Sequence, residues 1–125
     1  MMLSKKIKLA IKIKRVYDPP EASDGARILV DRLWPRGITK DRAEIDEWLK
    51  EIAPSEQLRQ WFGHQPERWE AFQKRYHEEL TSTEKPELIQ RIKSLAKKDT
   101  VTLLFAAKDA EHNNAVALAS FLKRE

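Results

Sequence analysis

The chain of 125 residues contains no cysteine, and this absence excludes several kinds of chemistry. Thiol nucleophiles, disulfides, iron–sulfur clusters and cysteine-based zinc sites all require that side chain. Only three glycines are present, and neither a G-x-G-x-x-G pattern nor a Walker sequence occurs, so a dinucleotide or P-loop site of the usual type is excluded. The three histidines lack the spacing of metal ligands. We therefore expect neither a metal nor another cofactor.

Long apolar runs are also missing from the sequence. No stretch reaches the roughly 18 apolar residues that a membrane span needs. The charged start, residues 1–8, lacks the apolar segment of a signal peptide. These features predict a cytoplasmic protein with no membrane partner. A length of 125 residues with 41% apolar content suits one domain, residues 1–125.

The positive charge is concentrated at one end of the chain. The net charge is +4, but residues 1–16 hold six lysines and arginines and no acid, so the remainder has a net charge of −2. Apolar residues at positions 7, 9, 11 and 13 alternate there with lysines, which predicts a strand with one basic face. These lysines either protect an edge strand or bind phosphates. Edge protection is the better supported interpretation, and we expect no nucleic-acid partner.

Two short runs, residues 27–33 with an apolar core and residues 100–106, β-branched and apolar, are typical of buried central strands. A final helix is predicted over residues 110–123, with Asp109 as its N-cap. Four helical segments separate the two runs. They are residues 41–52, residues 55–62, a segment from Pro66 to Leu80 and a segment from Pro86 to Leu95. The order predicts an α/β fold with a small, mainly parallel sheet of about three strands flanked by about five helices.

Unusual polar residues follow both central strands, in residues 31–37 and 108–114. In an open parallel sheet, ligands bind beyond the carboxyl ends of the strands. If the two runs form adjacent parallel strands, both loops open on one crevice. The candidate ligand-binding residues are Arg32, Trp34, Arg36, Gly37, Lys108 and Asn113.

The arginines could hold a phosphate or a carboxylate in a bidentate way. Gly37 would let the backbone approach the ligand. His112 is the candidate general acid–base, with Asp109 beside it as the second catalytic candidate. We expect Arg32, Arg36 and His112 to share one pocket, with Asp31 or Asp109 orienting an arginine.

A structural interpretation of the same residues stays open. Arg32 could pair with Asp31 or Asp109 in a buried network, while Trp34 and Pro35 close the end of the sheet. His112 could simply bond to a neighbour. His64, which follows a predicted helix stop, is expected to play a structural role by capping carbonyl groups.

Several motifs resemble the YeaO-like branch of the DUF488 family over residues 11–122. They are RVYDPP from Arg15, LVDRLWPRG from Leu29, WFGH from Trp61, and HNNA from His112. The resemblance implies an α/β fold and no established activity. The resemblance also implies a difference, because another branch of the wider family carries a cysteine and a His-Arg pair near the stretch matching residues 106–115. Since this chain has no cysteine, a thiol or metal role cannot be transferred.

The function best matched by the sequence is a small enzyme or binding protein for an anionic small molecule, phosphate- or nucleotide-like. One alternative is a nucleic-acid-binding or regulatory module that uses the basic N-terminal strand. Another is a protein-interaction module without chemistry. The sequence makes no prediction of the oligomeric state.

Overall fold

A computed structural model of the protein describes residues 9–124. Within them four strands form one sheet in the order β1-β4-β2-β3, and each neighbouring pair is parallel. The strands are β1 (Ile11–Arg15), β2 (Ala26–Leu29), β3 (Glu47–Trp48) and β4 (Val101–Phe105). The predicted α/β class and parallel sheet are confirmed, with four strands in place of about three.

Five α-helices accompany the sheet in the described part of the chain. They are α1 (Lys40–Ala43), α2 (Glu56–Phe62), α3 (Trp69–Thr81), α4 (Pro86–Lys98) and α5 (Asn114–Arg124). The boundaries of α2 agree with the sequence, because the Ser55 hydroxyl accepts from the Leu58 amide and Gly63 adopts the left-handed conformation that ends the helix. None of the helices within residues 9–124 is long and apolar enough to cross a membrane.

The two predicted central strands are adjacent and parallel, as expected, although β2 ends at Leu29 and not at residue 33. Ala26 of β2 pairs with Val101 of β4, and Leu29 pairs with Leu104. Every residue of β4 is buried. Since both strands run in the same direction, the loops that leave them emerge at the same edge of the sheet.

The basic segment forms an edge strand, β1, although its predicted residues 7 and 8 lie outside the described residues. Lys12 and Lys14 are in register with Thr102 and Leu104 of β4. Both ammonium groups lie 2.9 Å from a carboxylate oxygen of Asp24. The lysines of β1 therefore neutralise a buried acid in addition to occupying an edge.

The predicted helix over residues 41–52 is wrong. Helix α1 ends at Ala43 because Glu44 turns into the left-handed region with a φ of 49°. The Asp46 carboxylate then accepts from the Arg27 amide at 2.8 Å, which starts the pairing of β3 with β2. Thr39 caps this short helix, since its hydroxyl accepts from the Arg42 amide.

The last helix begins later than predicted. Asn113 is its cap, because its side-chain oxygen accepts from the Val116 amide at 3.0 Å. Asp109 instead accepts from the amides of Glu111 and His112 and closes a turn before the helix. This extra turn brings residues 109–113 to the edge of the sheet.

The two faces of the sheet are covered differently. The face that carries Ile28, Leu103 and Phe105 packs against the long helices in the main apolar core. A smaller cluster on the other face includes Leu29 and Leu104. The carboxyl ends of β2 and β4 lie between these layers and form the base of the candidate site.

Candidate functional site

A cavity of about 500 Å³ opens at the carboxyl ends of β2 and β4. Its walls come from the loop of residues 31–36, the end of α2 at residues 59–64, the end of β4 at residues 106–107 and the turn of residues 112–114. Arg32, Arg36 and His112 all line this cavity. Their function there stays a prediction.

The other candidate residues divide into two groups. Trp34 and Asn113 line the cavity, whereas Gly37 and Lys108 do not belong to its lining. Gly37 has a φ of 71°, and a side chain added there would meet no atom within 4 Å. The glycine therefore serves the left-handed turn of the loop rather than close packing within the protein.

Asp31 links three elements at the base of the cavity. One carboxylate oxygen accepts from the Ala106 amide and the other from the Asn114 side-chain amide, both at 3.0 Å. The Asn114 amide also donates to the Val30 carbonyl at 2.9 Å. Burial raises the pKa of Asp31, and these two hydrogen bonds oppose that rise.

The expected pairing of an arginine with Asp31 or Asp109 does not form. Arg32 donates from Nε to the Pro54 carbonyl at 3.2 Å, and from Nη2 to the carbonyls of Ala53 and Pro54. Asp31 already holds the two donors at the base, and Asp109 faces His112. These bonds from Arg32 hold the backbone segment that precedes α2, and the positive charge of Arg32 remains at the cavity.

Arg36 is exposed at the cavity rim. Its backbone carbonyl accepts from the Tyr17 hydroxyl at 2.9 Å, and the Arg15 guanidinium lies 5.0 Å from the centre of the Tyr17 ring. Within residues 9–124 the Arg36 guanidinium itself makes no hydrogen bond or ion pair. The backbone of the loop is therefore held while the charged end of Arg36 faces solvent.

His112 and Asp109 form a hydrogen-bonded pair beside the cavity. The Nδ1 atom of His112 lies 2.9 Å from the Asp109 carboxylate. Hydrogen bonds from the Glu111 amide, and then from the side chain and the amide of His112, lower the pKa of Asp109. The Trp69 ring contacts the imidazole edge to face at 5.3 Å between centres. The ring is thereby oriented, and Nε2 makes no hydrogen bond to any described residue.

His64 is a cavity residue that sequence reasoning assigned to the scaffold. It follows Gly63, and both residues have positive φ angles, 57° for His64 and 52° for Gly63. A non-glycine residue in this region is uncommon and tends to mark turns or functional sites. Its imidazole is exposed and lines the cavity. The helix stop at Gly63 was visible in the sequence, but the second left-handed residue was not.

Residues 10–125 match the sequence model of a family described as the inactive DUF488-N3 subclade. The chain belongs to the DUF488 family. It is 48% identical to the uncharacterized protein YeaO of Escherichia coli strain K12, over 90% of this chain and 96% of that protein. It is 38% identical to the uncharacterized protein Rv3073c of Mycobacterium tuberculosis, over 90% of this chain and 92% of that protein.

No solved structure shows a significant match to this DUF488 chain. The predicted resemblance to the YeaO-like branch is confirmed by the family model and by these relatives. Both YeaO and Rv3073c are described as uncharacterized proteins. The evidence for a function therefore comes from the side chains that line the cavity.

Proposed function

We propose that this DUF488 chain binds an anionic small molecule, of phosphate or nucleotide type, in the cavity at the carboxyl ends of β2 and β4. The observation that carries the proposal is the charge of the lining. Arg32, Arg36 and Arg59 line the cavity, and Asp31 is the single carboxylate among the described lining residues. Arginine forks are well suited to phosphate and carboxylate oxygens.

The hydrogen-bonding state of these groups supports the same proposal. The Arg36 guanidinium has no partner among residues 9–124, whereas Arg59 is paired with Glu56 at 2.5 Å. His112 is oriented by Asp109 through Nδ1, so Nε2 can meet an oxygen of the ligand. Asn113 adds a third polar group, although its side chain is occupied by the Asp109 carbonyl and the Val116 amide. Arg36 and His112 are therefore the expected ligand contacts.

Binding without chemical turnover fits this site better than catalysis. No serine, threonine or cysteine lines the cavity in the described part of the chain, and the Tyr17 hydroxyl that does line it donates to the Arg36 carbonyl. The matching family is described as an inactive subclade. We therefore assign His112 and Asp109 to binding the ligand and to orienting that contact.

The alternative role of the basic strand in binding nucleic acid has less support. Lys12 and Lys14 are both paired with Asp24, and Lys14 also contacts Glu21. Arg15 donates to the carbonyls of residues 106 and 107. Cations that are already paired release fewer counterions from a phosphate backbone than free ones.

Calorimetric titration of the wild-type protein tests the proposed function. We expect AMP and phenyl phosphate to bind at least about tenfold more tightly than adenosine and phenol, because hydrogen bonds to charged groups contribute about 1.5–3 kcal/mol. Binding should weaken as salt is raised. After a long incubation, phosphorus NMR should show both phosphates unchanged. Equal binding of the uncharged compounds, or release of phosphate, would contradict the proposal.

A further inference from the structure

The size of the cavity restricts the class of ligand. Clefts of roughly 300–1,000 Å³ hold organic ligands of cofactor or drug size. At about 500 Å³ this cavity falls within that range and is far larger than an inorganic anion needs. A phosphate ion bound at Arg36 would leave most of the space to other atoms.

Apolar and aromatic side chains line that remaining space. They include Leu33, Trp34, Pro35, Pro54, Phe62 and Phe72. Phe62 and Phe72 are buried and stack on each other with ring centres 4.5 Å apart, so they form a packed aromatic base, whereas Trp34 is half-buried and stays accessible. Aromatic walls favour flat ligand groups that stack or meet them edge to face.

Leu33 is the apolar lining residue whose exposure points to a ligand. Its side chain is 61% exposed in the free protein, although it stands in a loop that is otherwise anchored to the fold. The neighbouring Trp34 is held by a bond from its indole N–H to the Ile38 carbonyl, and Pro35 is buried. A large apolar side chain kept exposed at the edge of a cavity gains most from burial against a ligand.

We infer that the ligand is an organic anion of the aryl or nucleoside monophosphate class, with its flat apolar group against the Leu33 side of the cavity and its anionic group at Arg36. The inference rests on the proposed function and extends it from the charge of the ligand to its apolar part. Leu33 becomes a specificity-determining residue, and Arg36 remains the contact for the anion. An inorganic phosphate would contact Arg36 but would leave Leu33 without a partner in the ligand.

Titrations with phenyl phosphate and methyl phosphate separate the two contributions, because the compounds share one charged group. We expect phenyl phosphate to bind at least about tenfold more tightly than methyl phosphate, as burial of an aromatic ring implies. Leu33→Ala should weaken phenyl phosphate binding by about three- to tenfold and leave methyl phosphate binding unchanged. The thermal midpoint should hardly move, because the Leu33 side chain is largely exposed.

Each other outcome counts against this inference, against the proposed function or against both. Equal binding of the two phosphates, or an equal loss of both in Leu33→Ala, would overturn this inference and leave the proposed function standing. If phenol bound as tightly as phenyl phosphate, the apolar contact would stand and the proposed anion site would fail. If no compound bound at millimolar concentration, both claims would be overturned.

Discussion

Arg36→Ala should weaken the binding of AMP by at least about tenfold and leave the midpoint of thermal unfolding nearly unchanged. The guanidinium lies exposed at the cavity rim and has no partner within residues 9–124. The Tyr17 hydroxyl bonds to the backbone carbonyl of Arg36, and the substitution retains that carbonyl. Calorimetry gives the affinity, and differential scanning calorimetry gives the midpoint.

Arg42→Ala is the matched control for this experiment. Arg42 is also exposed, it lies on α1 outside the cavity lining, and its capping bond to Thr39 uses the backbone amide. The control removes the same charge and should change AMP affinity by less than about twofold, as screening of a distant exposed charge implies. A similar loss in both variants would reduce Arg36 to a general electrostatic effect. A large drop in the thermal midpoint of Arg36→Ala would assign the residue to the scaffold.

Asp24→Ala should destabilise the protein by roughly 3–5 kcal/mol, because removal of one partner leaves a buried charge uncompensated. The carboxylate is fully buried and lies 2.6 Å from Nη1 of Arg27, which is itself buried. Lys12 and Lys14 also bind it. Among the described residues the Nη2 atom of Arg27 already has no hydrogen-bond partner, so loss of Asp24 leaves this side chain one bond there, to the Ala43 carbonyl.

The same network predicts how stability depends on pH. Burial raises the pKa of Asp24, but hydrogen bonds from Lys12, Lys14, the Glu21 amide and Arg27 outweigh burial and lower it well below its usual range. A depressed pKa in the folded state gives stability above the unfolded pKa of about 4, and that stability is lost as the pH falls.

Urea unfolding at pH 7 and at pH 3 measures this contribution. The wild type should lose more free energy of unfolding between these values than Asp24→Asn, which has no charge to titrate at residue 24. Asp41→Asn supplies a control, since Asp41 is exposed and its side chain has no partner among the described residues. If Asp24→Asn and Asp41→Asn showed the same pH dependence, the network would not stabilise the fold.

The central strands could be predicted because burial in the middle of a sheet leaves a pattern in their sequences. Residues 28–30 are apolar and residues 101–106 are mostly apolar on both faces, as burial on both sides of a sheet requires. The error over residues 41–52 arose because Ile45, Trp48, Leu49 and Ile52 satisfy helical spacing by coincidence. Pairing with the free edge of β2 outweighs that local pattern, and edge pairing has no periodicity of its own.

The candidate site was predictable in position but not in its contacts. Loops at the carboxyl ends of parallel strands follow from topology, so residues 31–36 and 112–114 could be placed together. The partners of Arg32 are the backbone carbonyls of Ala53 and Pro54, and every residue type has such a carbonyl. For the same reason the bond from Tyr17 to Arg36 left no signal in the sequence.

Amide chemical-shift mapping during titration with AMP tests most directly whether the cavity is an anion-binding site. The largest shifts should fall on residues 31–36 and on Ala106, Ala107, His112 and Asn113, because these residues line the cavity. Shifts concentrated on strand β1, or none at millimolar AMP, would contradict the account.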